Sequence, residues 1–374
     1  MRLEKLTSVN FRNYDRVEVK FTSPINLIFG LNAQGKTNLL ECIYLLCLGR
    51  SFRTSVSEDF LKSGQERLTL EGEFELDNKI KKAVVLQYIK GEKKEISINH
   101  KRLKSHAEIF GHFPVVVMSP EDYRISTGGP QERRRFIDIL LSQLSRSYLA
   151  SLQEYHRVLK QRNKILQAIK SGARYDEPTI EPWTEKLIEL GCQITRERRR
   201  FIDEFGQELT DIYRAVSNSK DHLSADMESA IIYDSTAMAD NFSTALNRQK
   251  NKERLLGTTL VGPHRDDLVF KNNGRDVRRF GSRGEHKSLL IALKLAEFRF
   301  LKQKTAETPV FLLDDYYSEL DGQREERVFS MLRELGQIFL TSPKETTLHE
   351  RAAGLEARSI SKFNIENGVI AQRE

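Results

Sequence analysis

Residues 25–48 read INLIFGLNAQGKTNLLECIYLLCL, and this stretch contains the most specific motif of the chain. Its middle part, GLNAQGKT at residues 30–37, matches the phosphate-binding pattern G-x-x-x-x-G-K-[ST]. The apolar run before it is typical of a buried strand, and apolar residues at helical spacing follow it. A loop between such a strand and helix can bind phosphate through its backbone N–H groups and the positive end of the helix dipole. The stretch therefore predicts an α/β domain that binds a nucleotide.

Two short motifs assign roles within this site. Lys36 is expected to reach the β and γ phosphates, and the Thr37 hydroxyl is expected to bind Mg²⁺. A second apolar run, VFLL at residues 310–313, ends in Asp314 and Asp315, which is typical of a strand that delivers a carboxylate to the metal. We predict that Asp314 holds Mg²⁺ through water and that Asp315 orients the attacking water as a general base. Lys36, Asp314 and Asp315 are thus the predicted catalytic residues.

A second helix terminus is also suited to a phosphate. Residues 280–285 read FGSRGE and precede a long stretch with an apolar helical face. Ser282 and Gly284 lie where exposed N–H groups and the helix dipole favour an anion. The two helix termini suit the same triphosphate, and they need not face each other within one subunit.

The composition describes a globular protein with a basic balance. The chain has 374 residues, 39% hydrophobic and 30% charged, with a formal net charge of +7. This length predicts two domains, or one domain with a large insertion. Because no apolar run is long enough for a membrane helix and no signal peptide is evident, we expect a cytoplasmic protein without a membrane partner. The positive balance makes nucleic acid a candidate partner.

The pattern along the chain changes from strand to helix and back. Period-two runs in residues 17–21, 68–76 and 83–89 predict an antiparallel layer beside the buried runs at 25–29 and 115–118. After residue 119, most apolar residues follow helical spacing. We therefore predict a nucleotide-binding head whose N-terminal half is residues 1–119 and whose C-terminal half is residues 281–374. A helical lobe, residues 120–280, is inserted between them.

The helical region contains two apolar stripes. The first runs from Tyr148 to Ile169 with Arg162 as a polar interruption, and the second runs from Trp183 to Phe201 after a break at residues 171–182. Two such helices would form a short antiparallel hairpin with arms of ~30–45 Å at ~1.5 Å per residue. A plain helical bundle fits the same spacing equally well.

Arginines cluster on these helices at residues 133–135 and 196–200. Acidic residues lie beside both clusters, so a solvated face with salt bridges is the simpler interpretation. The alternative is contact with DNA phosphates. The candidate DNA contacts are Arg53, Arg133, Arg134, Arg198 and Arg199.

The order of these motifs resembles the ATP-binding-cassette heads of the SMC class and, over nearly the whole chain, the RecF family. The resemblance rests on the loop already described and on further stretches, each long enough to be specific. These are NFRNY (10–14), GRSFRT (49–54), SPED (119–122), RRRFID (133–138), GPHRDDL (262–268), ALKLAE (292–297) and SELD (318–321). The resemblance implies an α/β fold: an ABC-type ATPase head with a mixed sheet, an antiparallel β layer and an inserted helical lobe.

The resemblance also implies a mechanism. It implies that ATP and Mg²⁺ are cofactors and that ATP drives formation of a homodimer. Ser282, Gly284 and Asp321 would contact the nucleotide held by the other subunit's loop. The loop residues that would bind it are Gly30, Asn32, Gly35, Lys36, Thr37 and Asn38.

The implied partners are those of recombinational repair. The family resemblance implies binding to double-stranded DNA at gaps and single-strand/double-strand junctions. It also implies cooperation with RecO and RecR in loading RecA, together with a weak, DNA-stimulated ATPase activity that acts as a switch.

The chain departs from the family pattern at two places. Residues 285–288 read EHKS where the family tends to carry Gln, Arg and Thr, and Tyr316-Tyr317 replaces a Val-Phe pair. Two other classes share the phosphate loop. A small-molecule kinase needs a substrate pocket and a lid, which these motifs do not supply. A transporter-coupled ATPase would carry a switch histidine where Thr341 stands.

Overall fold

Contacts divide the chain into two units. The computed structural model describes residues 1–172, 177–315, 327–328, 330–332, 335–343 and 360–373. Unit 1 comprises Met1–Tyr123, Ile212–Ser219 and Lys287–Glu374, and unit 2 comprises Arg124–Asp211 and Lys220–His286. This division differs from the predicted boundaries, because residues 212–219 pack within unit 1 and residues 281–286 within unit 2.

The N-terminal part of unit 1 consists mainly of strands. Short 3-10 helices lie at Ser57–Phe60, His106–Ile109 and Pro120–Asp122. The regular elements are β1 (Arg2–Phe11), β2 (Tyr14–Lys20), β3 (Ile25–Phe29), α1 (Lys36–Leu48), β4 (Arg67–Glu75), β5 (Lys81–Ile89), β6 (Glu95–Ile98), β7 (Lys101–Arg102) and β8 (Val115–Met118).

The middle of the chain consists mainly of helices. Its elements are α2 (Tyr123–Thr127), α3 (Pro130–Leu144), α4 (Arg146–Lys170), α5 (Glu177–Ser217), β9 (Leu223–Glu228), α6 (Met238–Leu256), β10 (Asp267–Asn272), β11 (Arg275–Asp276) and α7 (Val277–Phe280). The C-terminal part contains α8 (Arg283–Thr305), β12 (Val310–Leu313), β13 (Ile338–Ser342), β14 (Ile360–Glu366) and β15 (Val369–Arg373). No helix in the described ranges is long and apolar enough to cross a membrane.

Unit 1 holds two six-stranded sheets. One is antiparallel, in the order β2-β1-β4-β5-β6-β7, as the period-two runs predict. The other is mixed, in the order β15-β14-β3-β13-β12-β8, and its strands β3, β13, β12 and β8 run parallel. The carboxyl ends of these parallel strands therefore share one edge, which is where open α/β sheets bind ligands.

Helix α1 lies between the two sheets. It packs against β4 and β5 on one side and against β8 and β13 on the other. Residues 39–48 are all buried, as expected of a helix that is apolar on every face. Gly72 of β4 permits this close approach, because a Cβ atom there would lie 2.9 Å from Leu46 of α1. The helix behind the phosphate loop is thus fixed on both sides.

Unit 2 contains the predicted helical hairpin. Ser151 donates a hydrogen bond to Gln193 (2.9 Å) and Arg162 donates one to Thr184 (3.0 Å), so α4 and α5 run antiparallel. The second arm is longer than predicted, because α5 has 41 residues and spans about 60 Å. The prediction that the helix break extends to Pro182 is wrong. Pro182 lies inside α5, where it removes one backbone hydrogen bond of the helix.

Arg162, the polar interruption of the first stripe, links α4 to other parts of unit 2 through buried hydrogen bonds. Its guanidinium donates to Glu253 of α6 (2.8 Å) and to Thr259 (2.7 Å). Arg162 and Glu253 are both buried, and the carboxylate of Glu253 also accepts from the backbone N–H of Leu260. A buried charge must be paired and hydrogen-bonded in this way, so the interruption of the stripe is structural.

Two of the predicted DNA contacts are also structural. Arg133 is 3% exposed and binds both oxygens of Asp267 of β10, at 2.7 and 2.9 Å. Arg198 is 2% exposed and donates to Asp138 (2.7 Å) and to the carbonyl of Pro263 (2.7 Å). The prediction that Arg133 and Arg198 contact DNA is wrong, because both guanidinium groups are enclosed and paired inside unit 2.

We expect Arg198→Ala to lower the free energy of unfolding by about 3–5 kcal/mol, because it removes a buried, fully paired guanidinium and leaves the partly buried Asp138 without its cation. Arg196→Ala is the matched control: Arg196 lies on the exposed face of the same helix, and its loss should change stability by no more than about 0.5 kcal/mol. Chemical denaturation followed by circular dichroism measures both. Equal effects for the two variants would contradict a structural role for Arg198.

Candidate nucleotide-binding site

The phosphate loop connects a fully buried strand to a helix that is buried from Leu39 onward. All five residues of β3 are buried, and α1 begins at Lys36 directly after Gly35. Gly30 has a φ of +153° and Gly35 a φ of +121°, which residues with a side chain rarely adopt. A Cβ atom on Gly30 would lie 2.3 Å from the carbonyl oxygen of Ile365 in β14. Both glycines of the motif are therefore required by the backbone.

Groups from two hairpins hold the outside of the loop. Asn13 donates to the carbonyl of Gln34 (2.8 Å), and Tyr14 donates to the carbonyl of Gly35 (2.8 Å). On the other side, the Gln34 side chain accepts from the backbone N–H of Asn367 (2.5 Å), in the turn between β14 and β15. These bonds fix two carbonyl groups of the loop and the side chain of Gln34 from outside.

Lys36 lies over the loop. Its Nζ atom donates to the carbonyls of Gly30 (2.9 Å) and Leu31 (3.1 Å), and it lies 3.8 Å from the carboxylate of Asp315. The side chain is only 4% exposed. The ammonium group is thus held between the loop and the predicted general base, where a terminal phosphate would meet it.

The predicted metal ligands meet at the edge of the mixed sheet. The hydroxyl of Thr37 donates to both carboxylate oxygens of Asp314, each at 2.9 Å. Thr341, at the end of β13, donates to Asp314 at 2.8 Å and accepts from the backbone N–H of Asp315 at 2.8 Å. Because β13 lies between β3 and β12, Thr341 bridges the strands that carry the two motifs.

Burial is the main influence on the pKa of Asp314. Its side chain is enclosed, which raises the pKa of this carboxyl above the ordinary value, although the hydrogen bonds from Thr341 and Thr37 act in the opposite direction. Asp315 follows with a φ of +40°, a left-handed conformation that is unusual for aspartate. The side chain of Asp315 is 33% exposed, so water can reach it.

The oxygen atoms around Asp314 fit Mg²⁺. Magnesium prefers hard oxygen ligands and is commonly bound by one or two carboxylates together with water and substrate phosphates. The Thr37 hydroxyl and the Asp314 carboxylate, 2.9 Å apart, are such a pair. The described residues contain no group of three acidic, histidine or cysteine side chains that could hold a metal alone.

The remaining loop residues lie in the same region of unit 1. Asn32 is exposed at the loop. Asn38, in the first turn of α1, donates to the side chain of Asn13 (2.8 Å) and accepts from Arg53 (2.9 Å). The structure therefore brings together the residues that the sequence predicts from both motifs.

The second predicted phosphate contact belongs to unit 2. The hydroxyl of Ser282 accepts from the backbone N–H of Glu285 (3.2 Å), and the Glu285 carboxylate accepts from the N–H of Ser282 (2.8 Å). This capping box starts α8. The hydroxyl hydrogen of Ser282 can still donate to another group, and Gly284 follows in the first turn. Asp321 lies outside the described residues.

Sequence reasoning missed several residues of the site. Thr341 follows an apolar strand, as Asp314 does, but a single threonine gives no motif signal. Glu41 is buried in α1 and binds Arg12 and Arg53, and only its polarity within an apolar helix could have indicated it. Of the remaining predicted DNA contacts, Arg53 lies in unit 1, whereas Arg134 and Arg199 lie in unit 2. Arg134 donates to the carbonyl of Asp266, and Arg199 stacks 5.6 Å from the ring of Tyr233.

Comparison with known proteins gives consistent matches. The family model of the RecF/RecN/SMC N terminal domain matches residues 2–365. A DNA replication and repair protein RecF from Salinibacter ruber is 37% identical over 371 residues, covering 96% of this chain and 90% of that protein. The RecF protein of Halalkalibacterium halodurans is 36% identical and is covered to 92% of its length.

Solved structures agree with the sequence matches. The recombination mediator protein RecF-ATPrS in the RecFOR pathway is similar over 100% of this chain and 98% of its own, with a TM-score of 0.90 and 31% identity. An Smc head bound to the C-terminal winged-helix domain of ScpA has a TM-score of 0.56 at 16% identity, which shows a shared fold. Neither the kinase nor the transporter alternative is favoured by these matches.

We expect Asp314→Asn to raise the melting temperature measured without nucleotide and Mg²⁺ at neutral pH. Burial raises the pKa of Asp314, so the ionised carboxylate costs free energy that a neutral amide avoids. When the pKa of a carboxyl is raised in the folded state, the folded protein loses stability as the pH rises through that pKa. The advantage of the variant should therefore grow with pH and disappear below the ordinary pKa of 3.8.

Thermal melts from acidic to weakly basic pH measure this effect. Asp203→Asn, on the exposed face of α5, is the control and should follow the wild type at every pH. A lower melting temperature for Asp314→Asn at all pH values would mean that its hydrogen bonds outweigh the cost of burial.

Proposed function

This chain belongs to the RecF family, and we propose that it works as an ATP-dependent DNA-binding switch in recombinational repair. The observation that carries the proposal is the direct contact of Thr37 with Asp314, which joins the phosphate loop to the acidic strand end. A site of this kind suits a nucleoside triphosphate and a divalent cation. The RecF-ATPrS structure supports ATP as the nucleotide.

The residues of the site divide the work of hydrolysis. The backbone of loop 30–35 and the start of α1 bind the phosphates, and Lys36 neutralises charge at the terminal phosphate. Bound Mg²⁺, held by Thr37 and Asp314, supplies further positive charge. Asp315 is exposed enough to accept a proton from water, but its short side chain limits its reach. We therefore propose that ATP hydrolysis is slow. We also propose, from the family resemblance, that DNA stimulates it.

Two copies of the chain are proposed to close over two ATP molecules. Ser282 lies at the start of a long helix and has a hydroxyl hydrogen to donate, so it suits the terminal phosphate held by another copy. Gly284 and Asp321 are proposed to lie along the same interface. Release of phosphate removes the shared ligand and would open the dimer.

Double-stranded DNA is the proposed partner of the closed dimer, at gaps and single-strand/double-strand junctions in the cytoplasm. Cooperation with RecO and RecR in loading RecA is proposed from the RecFOR pathway, in which the similar structure is placed. Contact with DNA is proposed to be mainly electrostatic. Of the two predicted contacts left in unit 2, Arg199 is the better candidate, because Arg134 already binds a backbone carbonyl.

Light scattering with and without ATP and Mg²⁺ tests the dimer. We expect the wild type to double its mass with ATP on a short DNA duplex, whereas Lys36→Ala and Ser282→Asp should remain monomeric. Aspartate keeps the helix cap but places a negative charge against the phosphate. The matched control is Ser145→Asp at the cap of α4, which should dimerise like the wild type. Normal dimerisation of Ser282→Asp would contradict the proposal.

Binding to labelled duplexes of different sequence tests the DNA proposal. We expect ATP to strengthen binding, sequence to have little effect, and the logarithm of affinity to fall with the logarithm of salt by about 0.9 per phosphate neutralised. Arg199→Ala should reduce this slope by about one, while the exposed Arg157→Ala on α4 should leave it unchanged. Affinity that is independent of ATP and salt would rule the proposal out.

A further inference from the structure

Two large apolar side chains are exposed beside the two halves of the proposed ATP site. Leu31, the second residue of the phosphate loop, is 73% exposed in unit 1, and Phe280 is 71% exposed in unit 2. Phe280 ends α7 and lies two residues before Ser282. Single exposed apolar residues are common on protein surfaces and need no partner. These two differ, because each adjoins a residue that is proposed to contact the same terminal phosphate.

Leu31 is held close to the lysine of the loop. Its carbonyl accepts from the Nζ atom of Lys36 at 3.1 Å, so its backbone lies beside the position proposed for the terminal phosphate. The residues that follow, Asn32 and Ala33, are exposed as well, and residues 31–33 carry no charge. Covering Leu31 with an apolar group would therefore remove no charged side chain of this stretch from water.

Phe280 is held by a short turn with bonds on both sides of it. The side chain of Asp276 caps α7 by accepting from the N–H of Arg278 (2.8 Å). After the ring, the N–H of Gly281 donates to the carbonyl of Val277 (2.8 Å). Val277 is buried and anchors the turn, whereas Phe280 is exposed to solvent. Because the backbone is fixed in advance, less conformational entropy is lost when a partner covers the ring, and aromatic side chains are common anchors of protein interfaces.

Chain geometry brings the two side chains together when two copies share a nucleotide. Lys36 of one copy and Ser282 of the other are proposed to contact one phosphate. Leu31 binds that lysine through its carbonyl, and Phe280 lies at most about 7 Å along the chain from Ser282. The two apolar side chains therefore come within reach of each other across the interface. Because a two-fold dimer repeats every contact, the pair would form twice.

The charges around Phe280 favour a second copy as its partner. Residues 278–283 contain three arginines and no acid, and Arg279 and Arg283 are exposed on either side of the ring. A phosphate loop that holds ATP is negative and presents the apolar Leu31 beside that charge. A basic surface with an aromatic ring at its centre is complementary to such a loop. The backbone of duplex DNA would match the arginines but offers no apolar group to cover the ring.

We propose that Phe280 of one copy packs against Leu31 in the phosphate loop of the other copy, so that an apolar contact beside each shared nucleotide supports ATP-dependent dimerisation. The inference rests on the proposed function, since it requires that Ser282 faces the loop of a second copy. It adds an interaction surface to that function, because closure of the dimer then depends on apolar burial as well as on the phosphate.

Cysteine cross-linking tests the contact directly. Leu31→Cys and Phe280→Cys are prepared as separate full-length variants, and the three native cysteines are buried, so they do not compete. With ATP, Mg²⁺ and a short DNA duplex, a mixture of the two variants should form a covalent dimer with a short bismaleimide. Either variant alone should not, because the two copies of each residue lie at different nucleotides. Phe280→Cys mixed with Leu255→Cys, as exposed as Leu31 but at the end of α6, is the control and should not cross-link.

Sedimentation at saturating ATP measures the strength of the dimer. We expect Phe280→Ala and Leu31→Ala each to raise the dissociation constant of the dimer by about 25-fold, the square of a roughly fivefold effect at each of the two contacts. The double variant should dimerise about as well as Phe280→Ala alone, and additive losses would overturn the contact. Leu255→Ala is the control and should dimerise like the wild type. Thermal melts without nucleotide confirm that each variant is folded.

Ser282→Asp separates failure of the inference from failure of the proposed function. If the wild type dimerises with ATP and Ser282→Asp does not, while Phe280→Ala dimerises normally and the cysteine pair fails to cross-link, the inference is wrong and the proposed function stands. If the wild type remains monomeric with ATP, the proposed function itself fails. If Phe280→Ala weakens only duplex binding and leaves the dimer unchanged, the ring faces DNA and the inference is overturned.

Discussion

The hydrogen bonds from Thr37 to Asp314 depend on how the mixed sheet is ordered. The strand before the phosphate loop and the strand that ends in Asp314 are not neighbours, because β13 lies between them. Leu313 pairs with Leu340, and Thr341 pairs with Ile28, so the parallel register places Thr341 between the two motifs. A shift of one residue in any of these strands would turn its side chains to the other face and separate the site.

The rest of unit 1 keeps that edge of the sheet fixed. Helix α1 is enclosed by two sheets, so the first residues of the helix cannot move without moving the core. The β14–β15 turn and the Asn13 turn hold the loop from outside. Burial in unit 1 therefore serves preorganisation: the donors that a phosphate needs are already in place before it binds.

Sequence patterns predict the phosphate loop, the acidic strand end, the antiparallel layer and the helical hairpin, because each depends on local spacing. They fail where a contact is distant in sequence. Arg198 is buried while Arg196 and Arg200 are exposed, since residues two apart lie on nearly opposite sides of a helix. Only the partners Asp138 and Pro263, far away in the chain, decide which arginine of the cluster is internal. Thr341 and Glu41 escape prediction for the same reason.

We infer that each ATP is bound jointly by two copies of the chain, and mixing two defective variants distinguishes this arrangement from binding within one copy. Lys36→Ala lacks the loop lysine and Ser282→Asp lacks the opposing contact, so each should fail alone. A mixed dimer would contain one intact site, formed by Lys36 of one copy and Ser282 of the other. The account predicts that ATP-dependent dimers and part of the ATPase activity return on mixing. No gain over the separate variants would contradict it.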